Sequence, residues 1–346
     1  MPSSIFSFER APDGHAGRTL LCAVAVAAVL LVGVESFLRS EGGAPSVPLS
    51  KSLMTANLDG GLSNPDPRTT LILGASRIRT GFSSRVFAEH TRQAPLYYLA
   101  TAGESPLAML VFLAEKTKFS GKLIVSMNAN SLSGASMNEQ QYIVRYFEDE
   151  WNWNNRMNHI IGARVSSSVV IRQENYAISN VLRSVIDLNK TPPIPYWRRN
   201  SPSGETFYDF SLIDDGSVLV PPALSTGAAE PADTAWEQNL AHFNKAVSRL
   251  TARGAQIALV RFPTSGNWWL NDQRQWPRDS FWDRIAVSTG AIKIHFRDVH
   301  DAVYSARLVA PRPPRQGCLY ANPSERARRG GDDLAQIGRF RATSAY

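Results

Sequence analysis

Cysteine is nearly absent, with two residues in a chain of 346. Cys22 lies inside an apolar run and Cys318 near the C-terminus, so no disulfide framework is expected and thiolates cannot build a metal cluster. No other pattern calls for a metal or a cofactor. Charge of one sign is also scarce outside one segment. The formal net charge is +7, yet from Ser305 onward there are eight Arg, three acidic residues and no Lys, a net of +5 that leaves +2 for the other 304 residues. Basic charge confined to a tail is not the footprint of a nucleic-acid groove, so nucleic acid ranks last among partners.

Long apolar runs are missing, with one exception. Leu20–Val34 ("LLCAVAVAAVLLVGV") carries no charge, and its extension toward Arg39 reaches about 19 residues, close to the ~20 that cross a bilayer as a helix. A cleavable signal peptide needs a small-x-small site, and "VESFLRSEGG" offers a poor one. A buried core helix is not normally followed by a Gly/Pro/Ser-rich segment such as Ser40–Arg68. An uncleaved single anchor is therefore expected over residues 19–38, in the inner membrane. Arg10 and Arg18 precede it, which places residues 1–18 in the cytoplasm and the remainder in the periplasm, with 39–68 as a flexible stalk.

Beyond residue 69 the signals alternate between strand and helix. "TTLILGAS" and "KLIVSMNA" read as short buried strands, with the helical "PLAMLVFLAEKT" between them. "AWEQNLAHFNKAVSRLTARG" places Trp236, Leu240, Phe243, Val247 and Leu250 on one helical face and stops at Gly254. Strand "AQIALVRFP", short helix "SFWDRIAVSTG" and strand "AIKIHFRDV" follow. These spacings imply parallel pairing through crossover helices, hence a three-layer α/β/α sandwich with a mainly parallel sheet over 69–304. Residues 134–233 read as an insertion forming a lid or wall. It holds the helical "EQQYIVRYFEDEW" and "YAISNVLRSVIDL" and a hairpin "FYDFSLIDDGSVLVP" with Asp-Gly at its turn. Its "WNWNNRMN" is either a sugar-lining cluster or a helix end with packed Trp.

Ligands of parallel α/β sheets bind beyond the carboxyl ends of the strands. Four segments arrive there. "LILGASR" presents Ser76, which is either a nucleophile beside backbone N–H donors or a turn serine bonding its own backbone. "LATAGESP" presents Gly103, an oxyanion donor or a simple loop glycine. "SMNANSL" offers Asn128 or Asn130 as an amide donor or as a cap. "VRFPTSGNWW" reads as a cleft wall, where Arg261 holds an anionic group or forms a surface pair. Arg77 is the second candidate substrate-binding guanidinium.

Strand-Gly-x-Ser-Arg, then a Gly-containing and an Asn-containing strand end, resembles blocks I, II and III of the SGNH/GDSL hydrolase superfamily. Within it the pattern is similar to the membrane-anchored bacterial branch of DltD-like and alginate-acetylation proteins, which commonly begin "GSSR" or "GASR". The resemblance implies an SGNH, flavodoxin-like sandwich. It makes Ser76 the nucleophile, Gly103 an oxyanion donor and Asn128 or Asn130 the third element. It also implies a carbohydrate acceptor and a membrane-bound acyl-donor protein as partner.

A nucleophilic serine needs a base within hydrogen-bond reach. The resemblance calls for Asp-x-x-His and a closing helix after "AIKIHFRDV". The sequence instead reads "FRDVHDAVYSARLV". Asp298 and His300 stand too close for that spacing, and His300 with Asp298 or Asp301 is an improvised base. His295 reads as a core or cleft-wall histidine. His90, His159 and His242 fall on helices and have no claim.

The tail, 305–346, is rich in Arg, Pro, Ala and Gly and loses hydrophobic periodicity, which reads as a disordered basic segment. The genetic code gives a sharper reading. Permitted codons for Ser305 onward, read one nucleotide later, encode "LPDWSHLDRQDRAAFTQTLVSELVAAG". This string contains Asp-x-x-His at the required place, followed by an apolar-periodic helix ending in Gly. A frameshift near residues 303–306 is the resulting expectation, with an impaired esterase as its product. The two functional readings are an SGNH-like acyl-ester hydrolase or acyltransferase on cell-envelope carbohydrate, and a non-catalytic binding or assembly subunit of an envelope polysaccharide system.

Overall fold

Strand β1 (Thr70–Leu73) is buried at every position, as expected for an apolar run ended by Gly. It lies between β2 and β3 in a five-stranded parallel sheet, in a computed structural model that describes residues 16–134, 136–173, 176, 198–209, 234–287 and 289–299. The other strands are β2 (Leu96–Tyr98), β3 (Lys122–Ser126), β6 (Gln256–Arg261) and β7 (Ile292–His295), in the order β2-β1-β3-β6-β7. All four pairings are parallel, with Leu71 opposite Tyr97 and Leu123, and Val260 opposite Ile294. Counted within the sheet, the order is 2-1-3-4-5. In that doubly wound order the topological switch falls between the first and third strands.

One face of the sheet is thoroughly covered. Leu71, Leu73, Leu123, Val125, Ile257 and Leu259 point into a core shared with α5 (Leu107–Lys116) and α8 (Thr234–Ala252). The five apolar residues expected on one face of α8 are all buried, and Trp236 Nε1 donates to Ala129 O at 2.9 Å. The chain leaves α8 through Gly254 at φ +96.

Helix α2 (Lys51–Ser63) lies in the segment expected as a stalk. Ser50 caps it by accepting the N–H of Leu53 at 3.2 Å, and Leu53, Met54 and Leu58 are buried in the main core. Asn57 ties it to β2 and the insertion, donating to Tyr98 O at 2.9 Å and Ser203 O at 2.8 Å. The domain therefore begins near residue 50, and Gly/Ser richness misled because two glycines, Gly60 and Gly61, let the helix approach Tyr97 closely.

The opposite face is covered only in part. Over β1 and β2, Ile72 and Tyr98 pack with Ile78 of α3 (Ser76–Gly81) and with Phe82 and Phe262. Over β7 no described element lies on this face: Ile292 is 64% exposed and Ile294 37%. The described residues thus form an α/β fold with a parallel sheet and one complete helical layer, and the second layer stops short of the β7 edge. The expected helix at "SFWDRIAVSTG" is only a 3₁₀ turn, Trp282–Arg284. Ala286 adopts φ +56 and gives its N–H to Asn244 Oδ1 at 2.9 Å, which ends any helical continuation.

In the insertion, α6 (Gln141–Arg145) runs into a π-turn at Tyr146–Glu150, followed by α7 (Trp153–Ser168). A short antiparallel pair joins β4 (Arg198–Asn200) to β5 (Thr206–Tyr208). The Asp-Gly hairpin turn and all but Tyr176 of "YAISNVLRSVIDL" lie outside the described residues. At the N-terminus, α1 (Ala16–Ser40) is a single apolar helix long enough to cross a membrane.

Candidate functional site

Ser76 opens α3 directly after β1, with Gly74 forming the sharp exit. Gly74 sits at φ +141, and a Cβ there would lie 2.6 Å from Ser126 O and 2.9 Å from Ser126 Cβ, so no larger residue fits. Its carbonyl accepts the N–H of Thr101 at 2.9 Å, drawing the loop that carries Gly103 to the same end of the sheet. Gly103 is exposed at φ +78 with open space where a Cβ would stand. Asn128 follows β3 and is partly buried. The three residues therefore stand beyond the carboxyl ends of three adjacent strands, β1, β2 and β3.

Their hydrogen bonds divide them. Asn128 Oδ1 accepts Ser131 N–H at 3.0 Å and Ser131 Oγ–H at 2.7 Å, capping a 3₁₀ turn, and this arrangement leaves its Nδ2 amide without a partner among the described residues. Asn130 is exposed, and its Oδ1 accepts Ser133 Oγ at 2.9 Å. Ser76 Oγ also has no partner among the described residues, so no described base activates it.

No family model, curated protein or solved structure matches this chain.

Next to Ser76 a second group gathers around the end of β6. Arg77 Nη1 donates to Thr264 Oγ1 at 3.3 Å, and Thr264 Oγ1 lies 3.4 Å from Asp272 Oδ2. Asp272, on α9 (Gly266–Gln275), is paired with the buried guanidinium of Arg261. Burial depresses the Arg261 pKa, Asp272 opposes that, and the like charge of Arg77 adds to it. Arg261 is thus neither a free anion receptor nor a surface pair; Asp272 neutralises it from within.

Behind Arg261 lies a tight cavity of about 20 Å³, walled by Trp269, Trp276, Trp282, Arg278 and His295, room for about one water. His295 is buried at the end of β7, as expected of a wall histidine. Its Nδ1 accepts the N–H of Arg297 at 3.1 Å, which leaves the proton on Nε2 of the neutral ring. Burial first, then Arg278, pushes its pKa down to about 4, so it is neutral at pH 7 and a weak base.

Asp298 is held by Arg278 through two hydrogen bonds, 2.6 and 2.8 Å, which keep its carboxyl below the ordinary range. The structure thus commits Asp298 to a guanidinium, and His300 lies outside the described residues. Sequence reasoning missed Asp272, Thr264 and Arg278. For Asp272 and Arg278 the signal was the density of Trp, Asp and Arg between Trp268 and Arg284; Thr264 carried none.

The Trp/Asn cluster is a helix start. Asn152 caps α7 by accepting Asn155 N–H at 3.1 Å, and the Trp151 ring lies 6.0 Å from Tyr146 and 6.1 Å from His159. Phe147 and Glu148, just before it, line a cavity of about 540 Å³ together with Thr69 and Gly121. That cavity opens at the amino ends of β1 and β3, the pole opposite Ser76.

Proposed function

We propose that this chain is a membrane-anchored SGNH-type protein of the cell envelope, with an acyl-ester site on carbohydrate that lacks its base. The observation that carries the reading is the placement of Ser76, Gly103 and Asn128 beyond three adjacent parallel strands in the order 2-1-3-4-5. In such a site a base takes the Ser76 Oγ proton as Oγ bonds to the ester carbonyl carbon and returns it to the alcohol that departs, while the Gly103 N–H and the Asn128 amide, neither with an acceptor among the described residues, stabilise the developing oxyanion. The chain belongs on this reading to the inner membrane, with α1 as anchor and the domain in the periplasm. A membrane-bound acyl donor would meet it there.

The exposed Ile292 and Ile294 support the frameshift reading. Apolar side chains on a sheet face call for a covering helix, and the out-of-frame string supplies one immediately after its Asp-x-x-His. The alternative, a binding subunit without turnover, is favoured by Ser76 Oγ having no partner among the described residues.

Two experiments separate these readings. Genomic DNA across codons 303–306 either matches the shifted string or contains codons incompatible with it. The full chain, and a chain carrying "LPDWSHLDRQDRAAFTQTLVSELVAAG" in place of the tail, are then treated with a fluorophosphonate probe. The expected result is slow labelling at Ser76 that accelerates about 10²–10⁴-fold with the base restored and disappears in Ser76→Ala. Labelling that survives Ser76→Ala, or no acceleration, refutes the enzyme reading.

A further inference from the structure

Helix α7 has an apolar stripe on the side turned away from the domain. Asn155, His159, Ala163 and Ser166 form its inner side, and Arg156 fixes it to α2 through Asp59 at 2.7 Å. At 100° per residue, Trp153, Met157, Ile160 and Ile161 fall on the opposite side. Trp153 is 73% exposed and Ile160 and Ile161 are 57% exposed, too much apolar surface on one helix to be scattered chance.

The C-terminal end of α7 is latched to the last turns of α1. Arg39 Nη2 donates to Ser168 O at 2.7 Å, and the Glu35 carboxylate accepts the N–H groups of Val170 at 2.9 Å and Ile171 at 3.1 Å. Leu38, Val170 and Tyr176 close a small buried cluster beside these bonds. The segment that follows α7 is therefore held at the end of the α1 apolar run, and the stripe lies on the same helix, 7 to 15 residues before Ser168. Between Glu150 and Glu174 the chain carries Arg156, Arg164 and Arg172 and no acidic residue. Arg164 stands within the stripe, where its stem can lie along apolar surface while the guanidinium reaches phosphate.

We propose that α7 lies in the membrane interface, with Trp153, Met157, Ile160 and Ile161 sunk among the headgroups of an anionic phospholipid bilayer. An interfacial helix buries its apolar face some 5–10 Å deep, and Trp and Arg are the side chains suited to that depth. The inference rests on α1 being a membrane anchor. It adds a second contact that fixes the domain's tilt as well as its distance from the lipid.

The test uses the full chain in phosphatidylethanolamine–phosphatidylglycerol vesicles, with Cys22→Ser and Cys318→Ser and one environment-sensitive probe per variant. Probes are placed through Ile160→Cys on α7, Val26→Cys in α1 and Ser248→Cys on the exposed side of α8. Lipid nitroxides near the headgroup are expected to quench the position 160 probe about twofold or more beyond the position 248 probe, while nitroxides near the chain ends quench position 26. Quenching at 26 with none at 160 overturns the interfacial helix and leaves the anchor standing. Absence of quenching at both removes the anchor and the inference with it. A blue-shifted but unquenched probe at 160 also overturns the proposal, because protein then covers the stripe.

Discussion

Asp272→Ala is expected to unsettle the domain well beyond an ordinary surface substitution. The Arg261 side chain is 8% exposed and that of Asp272 18%, so the pair is largely removed from solvent. Removing one partner of a buried pair costs about 3–5 kcal/mol, because the remaining charge is desolvated without compensation. The partial exposure of Asp272 lowers this to about 2–4 kcal/mol. Arg77 adds to the effect, since its like charge already disfavours the Arg261 cation that Asp272 neutralises. For a domain of this size about 2–4 °C of melting temperature corresponds to each kcal/mol, so a fall of about 4–16 °C is expected. The assay is thermal and urea denaturation of the full chain in detergent, followed by tryptophan emission, to which Trp269 and Trp276 beside Asp272 contribute. Arg261→Met combined with Asp272→Leu should cost less than Asp272→Ala alone, because no charge is then stranded. A loss below about 1 kcal/mol for Asp272→Ala would show that water screens the pair, and the account of Arg261 as an internally neutralised cation would be wrong.

Gly74→Ala should destabilise by about 2–5 kcal/mol, through the contact with Ser126 together with the cost of positive φ, and chemical denaturation measures it. A neutral Gly74→Ala would mean that the β1 exit is looser than described. His295 makes stability depend on pH. Its folded pKa, about 4, lies below the ordinary 6.5, so protonation favours the unfolded chain. Stability is complete above pH 6.5 and falls by up to about 3 kcal/mol as pH drops toward 4. In His295→Phe the slope between pH 6.5 and 4 should flatten, and an unchanged slope assigns it to other groups.

The strands and the long helix were legible because their residues obey one period throughout. Thr70–Leu73 and Lys122–Ser126 are short apolar runs closed by small residues, and α8 keeps its five apolar positions, Trp236 to Leu250, in register over fifteen residues. The strand-end positions of Ser76 and Asn128 were legible for the same reason, since each follows one of these apolar runs. What failed depended on contacts distant in sequence. Helix α2 contains two glycines and little apolar periodicity, yet packs because Leu71 and Tyr97 come to meet it. The Trp282 segment looked helical, but Asn244 on α8 takes the N–H that a helix would have needed. Asp298 looked available as a catalytic carboxylate until Arg278, twenty residues earlier, claimed both its oxygens.

The position of β7 has a consequence for handling the protein. With β2 it is one of the two edge strands of the described sheet, so one row of its backbone N–H and C=O groups faces no neighbouring strand there. Natural edge strands usually discourage strand addition with a lysine that must stay in water. Here Lys293 is drawn inward, its Nζ donating to Trp282 O and Asp283 O at 3.0 Å each. The edge thus presents Ile292 and Ile294 beside unguarded backbone, a template on which a second copy could stack at high concentration.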